Sequence, residues 1–160
     1  MHPTRHDLAE SKRAKICELL NARLADAIDL SLQSKQAHWN VKGPQFIALH
    51  ELFDKVHLVA VSAVDQLAER AVTLGGTAEG TLAAVTKRTR LTSYPLDLAE
   101  GAGHVTALAQ ALAAAAKGMR AAIDAATEFG DAVTADLLTG IAGELDQQLW
   151  FVEAHAQAAR

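Results

Sequence analysis

Cysteine occurs once in the chain, at Cys17, so no internal disulfide can form and a reducing cytoplasm is the expected setting. Aromatic residues make up only 4% and prolines number three. With β-branched residues also sparse beside alanine and leucine, strands have little to pack with, and an all-α fold follows. No apolar run approaches the roughly 20 residues that a membrane-spanning helix needs, because charged residues interrupt each one. The N-terminus carries neither the apolar stretch nor the small-residue cleavage site of a secretory signal. Positive charge is short as well: 15 Lys and Arg against 19 Asp and Glu leave a net charge of -4, which gives no global attraction to nucleic acid. What the chain has in quantity is apolar side chain, 50% of its 160 residues, enough for one compact domain with a core.

The pattern divides into residues 1–7 as a short tail and 8–160 as a single four-helix domain. Asp7 followed by Glu10 has capping-box spacing, and apolar residues then recur at helical period through Ile16, Leu20, Leu24, Ile28 and Leu32. The first helix is expected to run to about Trp39, where Asn40, Gly43 and Pro44 break it. Pro44 suits the first turn of a second helix reaching Leu74, which Gly75 and Gly76 stop. Thr77 to Pro95 then form a long crossover with a short helix around Leu82 to Thr86. Asp97 with Glu100 repeats the capping-box spacing and opens a third helix ending near Glu128 and Gly130. A fourth extends from Asp131 to Ala158. Connections that are short, long and short between helices about 45 Å long match a four-helix bundle with one long crossover.

The second helix holds His50, Asp54, Asp65 and Glu69, two pairs at i,i+4 spacing. With His50 at zero and 100° per residue, Asp54 lies at about 40°, Asp65 at about 60° and Glu69 at about 100°, so all four share a stripe. Along the axis His50 and Glu69 are about 28 Å apart, far beyond the roughly 2 Å of a metal bond. One chain cannot close such a site, but two can. His50 and Glu69 are equidistant from the point between Val59 and Ala60, and so are Asp54 and Asp65. An antiparallel two-fold pairing centred there sets His50 against the second copy's Glu69 and Asp54 against its Asp65, giving two equivalent sites from one patch. Ala60, Val61, Ser62, Ala63 and Val64 at the centre are small enough for close helix approach.

His38 supplies a second imidazole if the turn through Gly43 folds it beside His50. Imidazole with carboxylate suits iron, manganese or zinc, and the lack of thiolates argues against a structural zinc site. Two carboxylates about 4 Å apart at an effective dielectric near 20 repel by about 4 kcal/mol, which favours cation uptake. Carboxylates at this spacing on a long helix are usually solvated, but here Leu49, Phe53, Leu58, Val61 and Val64 are interleaved with them, and that apolar surface calls for a cover. His57 reads as an ordinary, partly exposed histidine.

The motifs K-Q-A-H-W-N-V-K-G-P-x-F at Lys35 to Phe46, L-H-E-L-F-D at Leu49 to Asp54 and D-Q-L-A-E-R at Asp65 to Arg70 resemble those of Dps, the small dodecameric ferritin relatives. D-L-L-T at Asp136 to Thr139 and L-W-F-V-E-A-H at Leu149 to His155 extend the resemblance over nearly the whole chain. It implies a ferritin-like bundle whose ferroxidase ligands are His38, His50, Asp54, Asp65 and Glu69, shared across a dimer interface. Larger ferritins complete a di-iron site within one bundle with E-x-x-H, a motif absent here. The implied activity is oxidation of ferrous iron, preferentially by hydrogen peroxide, with ferric mineral stored in a hollow twelve-subunit shell.

The resemblance also points to Asp131, Asp136, Glu144 and Asp146 as an acidic pore region, although Asp131 equally suits an N-cap. Trp39, beside His38, is a candidate electron donor or a packing residue. Some Dps proteins bind and compact DNA through lysine-rich tails, which would place the chain at the nucleoid with iron oxidation secondary. Here Met1 to His6 offer only Arg5 and two histidines, and nothing extended follows Arg160. Twelve copies at -4 each carry about -48, so weak DNA binding at most is expected.

Overall fold

The computed structural model describes residues 1–157, all-α apart from one isolated bridge between Lys42 and Glu100. Five helices follow one another: α1 (Glu10–Asn40), α2 (Phe46–Thr73), the short α3 (Leu82–Arg88), α4 (Gly101–Phe129) and α5 (Ala132–Gln157). The expected end of the last helix at Ala158, and Arg160 beyond it, lie outside the described residues. Helix α1 packs mainly on α2 and α4 on α5, while α1–α4 and α2–α5 contacts close the bundle and α3 lies along α1. No helix among the described residues is long and apolar enough to cross a membrane.

Both anticipated capping boxes fail to form, and tertiary contacts explain why. At the N-terminus the Leu8 amide donates to His6 Nδ1 (3.1 Å) and the Leu8 carbonyl accepts from buried Arg13 Nε (3.0 Å), so α1 starts only at Glu10 and Asp7 stays exposed. Before α4, the Lys42 amide donates to the Ala99 carbonyl (2.9 Å) and holds Ala99 and Glu100 extended, which delays the helix to Gly101. Pro44 likewise sits in a turn closed by the Phe46 amide on the Gly43 carbonyl (3.0 Å), not in the helix itself. Gly43, Gly75 and Gly130 all have positive φ, the conformation that lets the chain leave α1, α2 and α4 sharply.

The apolar stripe of α1 also rotates. Steps of four residues advance about 40° beyond each full turn. Ile16, Leu20 and Leu24 are therefore buried, Ile28 is half-buried and Leu32 is 52% exposed, with Ala27, Leu30 and Ala37 taking over the core. Phe53 is the largest fully buried side chain, and with Leu49, Leu108, Leu112, Met119 and Leu138 it fills the bundle interior.

Polar groups of α1 fasten the crossover along its flank. Arg88 bridges Glu18 (2.5 Å) and Glu79 (2.7 Å), Asn21 pairs with Thr77 and Glu79, and Asp26 accepts the Arg90 amide (2.8 Å). At the far end Arg70 of α2 binds both carboxylate oxygens of buried Asp131 (2.9 and 3.0 Å), and Asp131 caps α5 by accepting the Thr134 amide (3.0 Å).

Candidate metal centre

Three polar rungs cross the seam between α1 and α2. In the first, the short turn from Val41 to Gln45 folds His50 against His38 until the rings stack with centroids 3.6 Å apart. Each ring is locked by the other's backbone: His38 Nδ1 lies 2.7 Å from the His50 carbonyl, and His50 Nδ1 lies 2.8 Å from the His38 carbonyl. A carbonyl only accepts, so both Nδ1 atoms carry a proton, and the neutral form of each ring has its lone pair on Nε2. Nδ1–H bonded to a backbone carbonyl is the arrangement that fixes a metal-ligating histidine. Phe46 packs beside His50 at 5.1 Å between ring centroids.

The second rung joins Lys35 Nζ to Asp54 Oδ1 at 2.7 Å. That hydrogen bond is the largest influence holding the Asp54 carboxyl below the usual carboxylate range, with His38 and His57 adding smaller electrostatic contributions. Lys35 also lies 5.8 Å from the centre of the Trp39 ring, which is 66% exposed and so is not held by packing within its own chain. In the third rung His57 Nδ1 bonds the Ser31 carbonyl at 3.0 Å.

Asp65 and Glu69 stand on the distal half of α2, exposed, with no side-chain hydrogen bond or ion pair among the described residues. His38 and His50 are thus brought together, Asp54 lies a turn away on Lys35, and the two distal acids are remote. Among the described residues no group of three or more His, Cys, Asp or Glu side chains converges in a way that could hold a metal ion.

The apolar surface on this face differs from the sequence expectation. Leu49, Phe53, Ala60 and Ala63 turn inward and are buried in their own bundle. What remains outside is Ile47 (62% exposed), Leu58 (61%), Val61 (43%) and Val72 (56%), with Phe46 (43%) at the start of the helix standing outside the pairing because its counterpart position is Thr73. Ile47 and Val72, and likewise Leu58 and Val61, are equidistant from the same midpoint between Val59 and Ala60 that relates the candidate ligands. These paired apolar residues therefore obey the two-fold pattern of the polar ones, and Ile47 and Val72 were legible by extending that pattern one turn outward in each direction.

Of the acidic residues anticipated at a pore, Asp131 is buried and engaged by Arg70 and Thr134, and Asp146 is paired with Arg120 at 2.9 Å. Their carboxylates are occupied, which leaves Asp136 and Glu144 as the two of the four without an ion-pair partner among the described residues. Lys35 lies one turn before His38, but its partner Asp54 belongs to another helix and no spacing rule links them, so the sequence does not single it out.

A family model described as a ferritin-like domain matches residues 17–160. The chain is 46% identical over 156 residues to the DNA protection during starvation protein of Agrobacterium fabrum, covering 98% of this chain and 96% of the relative. It is 37% identical over 153 residues to the protein of the same name from Mycolicibacterium smegmatis, covering 95% of this chain and 82% of that one. The solved tetragonal form of Mycobacterium smegmatis Dps matches with a TM-score of 0.94 at 33% identity, covering 99% of this chain and 96% of that chain. The chain belongs to the Dps family of ferritin-like proteins.

Proposed function

We propose that this protein is a ferroxidase and iron store: His38, His50 and Asp54 of one subunit, with Asp65 and Glu69 of the partner subunit, take up ferrous iron as substrate and favour its oxidation. The observation that carries this reading is the reciprocal locking of two stacked imidazoles, which leaves both Nε2 lone pairs free beside a face whose polar and apolar residues share one two-fold pattern. An antiparallel α2 pair satisfies that pattern, covers Ile47, Leu58, Val61 and Val72, and forms two sites.

In each site the imidazoles bind the incoming cation without adding negative charge. The carboxylates stabilise the ferric product more than the ferrous substrate, because Coulomb attraction grows with the charge on the ion. Each ferrous ion gives up one electron, so two reduce one hydrogen peroxide to two hydroxide ions. The ferric product passes to a mineral within a closed shell, twelve subunits in the arrangement that the family resemblance implies. Zinc and manganese share the same donor preference and are expected to compete for the site.

In the double variant Asp65→Asn with Glu69→Gln, peroxide-dependent iron oxidation by assembled protein should slow by at least about tenfold, equivalent to about 1.4 kcal/mol of lost stabilisation. An unchanged rate would remove these residues from the chemistry.

The names of the relatives favour a second reading, protection of DNA by direct binding. The N-terminal segment lies back on the bundle: the His2 amide donates to the Gly75 carbonyl (2.7 Å), and Arg13 clamps the Leu8 and Leu74 carbonyls. A segment so held makes a poor basic arm. Purified shells should therefore leave duplex mobility unchanged at neutral pH and about 0.15 M salt, where charge is screened within roughly 8 Å; a retarded complex would establish the DNA reading.

A further inference from the structure

The imidazole of His57 is not used by the site described above, and its surroundings match those of the two histidines that are. Its Nδ1 bonds the Ser31 carbonyl at 3.0 Å, so the neutral ring carries its proton there and keeps a lone pair on Nε2. That Nε2 has no hydrogen-bond partner among the described residues, and it is not among the polar atoms sealed from solvent. His57 is half-buried, sits three residues beyond Asp54 on the seam side of α2, and lies within electrostatic reach of the Asp54 carboxyl. Asp54 gives only its Oδ1 to Lys35.

We propose that His57 anchors a second metal station beside the ferroxidase site, completed by Asp54 of its own chain and Asp65 of the partner subunit, for a divalent first-row cation. The assignment rests on the two-fold pairing of α2 proposed above. In that pairing Asp54 faces Asp65 of the partner subunit, and His57 faces Ser62 of the partner subunit, one turn from that aspartate. One imidazole with two carboxylates suits ferrous iron, manganese, cobalt or zinc, and poorly suits soft cations or calcium. Asp54 then borders both stations, about one helical turn from each histidine, so His57 stands about two turns from His50.

The alternative is that His57 serves only to fasten the seam. His57→Asn separates the two, because the asparagine amide can still donate to the Ser31 carbonyl from the Nδ1 position while Nε2 is lost. The experiment is anaerobic titration of assembled protein with cobalt(II), read by equilibrium dialysis and d–d absorption, with shell size checked by gel filtration. Wild type should bind about two cobalt ions per subunit and His57→Asn about one, while His50→Ala should lose the other and keep the His57 band. Equal stoichiometry in wild type and assembled His57→Asn overturns the inference. A single cobalt ion lost only in His50→Ala sinks it too but leaves the ferroxidase site standing. No cobalt bound by wild type defeats both.

Discussion

Replacing Lys35 by Met tests how the proposed ferroxidase site would open to metal. The ammonium occupies Asp54 Oδ1 at 2.7 Å, and a cation that uses Asp54 as ligand must displace it or tolerate it. The two alternatives differ in size by orders of magnitude. An ammonium remaining about 4 Å from a divalent ion would repel it by about 8 kcal/mol at an effective dielectric near 20, close to a millionfold in affinity. Displacement costs only the ion pair, and its side chains are 22% and 41% exposed. Partly exposed pairs contribute about 0.2 to 1 kcal/mol, so removing the competitor should tighten binding about 1.5- to 5-fold. The aromatic face of Trp39, with Lys35 Nζ 5.8 Å from its centre, offers the displaced ammonium a resting place. Methionine keeps the aliphatic stem and its packing. Anaerobic cobalt titration of assembled Lys35→Met against wild type reads the difference. A gain of a thousandfold or more would mean that the ammonium stays in the site, and unchanged or weaker binding would mean that it does not compete; either outcome refutes the displacement argument.

Two further predictions concern the other end of the bundle. Asp131→Asn leaves Arg70 buried without its counter-charge and should destabilise the fold by about 3 to 5 kcal/mol, lowering the melting temperature by roughly 6 to 20 °C. Burial opposes ionisation of Asp131, but its hydrogen bonds with Thr134 and the Arg70 guanidinium outweigh that and hold the carboxyl below the usual range. Its stabilisation is therefore fully present above the unfolded value of about 3.9 and is lost as pH falls through the lower folded value. Melting curves of the two proteins should converge below about pH 4, and a gap that widens there would contradict the assignment. Asp136→Asn, at an exposed acid of the suggested pore region with no ion-pair partner among the described residues, should slow iron uptake by intact shells while leaving their size unchanged; equal uptake rates would take Asp136 off the entry route.

The parts of this protein legible in its sequence are those that depend on periodicity within one helix. The stripe of His50, Asp54, Asp65 and Glu69 follows from spacing alone, and so does its two-fold relation, because both are properties of α2 in isolation. Helix starts were legible only to within a few residues. Asp7 and Asp97 have capping-box spacing, but contacts of Leu8 with His6 and Arg13 in one case, and of Ala99 with Lys42 in the other, hold the backbone off the helical path just after each aspartate. Burial on α2 was misassigned for the same kind of reason. Leu49 and Phe53 lie near the polar stripe in sequence, yet the bundle core lies on their side and claims them, whereas Ile47 and Val72, one turn outside the candidate ligands on the same two-fold pattern, remain exposed. Pairings across helices left no local trace: Lys35 with Asp54, His57 with Ser31 and Arg70 with Asp131 join residues 19, 26 and 61 positions apart.

The division of ligands along α2 couples activity to assembly. The imidazole pair is preorganised within one chain, since its hydrogen bonds run only between α1 and α2. Asp65 and Glu69, by contrast, are exposed and have no side-chain partner among the described residues of the chain that bears them. A protomer thus offers a rigid but neutral grip at one end of the helix and an unsupported pair of charges about 28 Å away at the other. Neither half favours ferric over ferrous iron strongly: imidazoles contribute no net charge, and solvated carboxylates lose most of their attraction to water. The proposed two-fold pairing would place the charge beside the preorganised donors and cover the exposed Ile47, Leu58, Val61 and Val72 in the same step. On the proposed reading, oxidation would begin only where two chains have already joined, and a dissociated but folded protomer should oxidise ferrous iron far more slowly than the assembly; equal rates would refute the coupling.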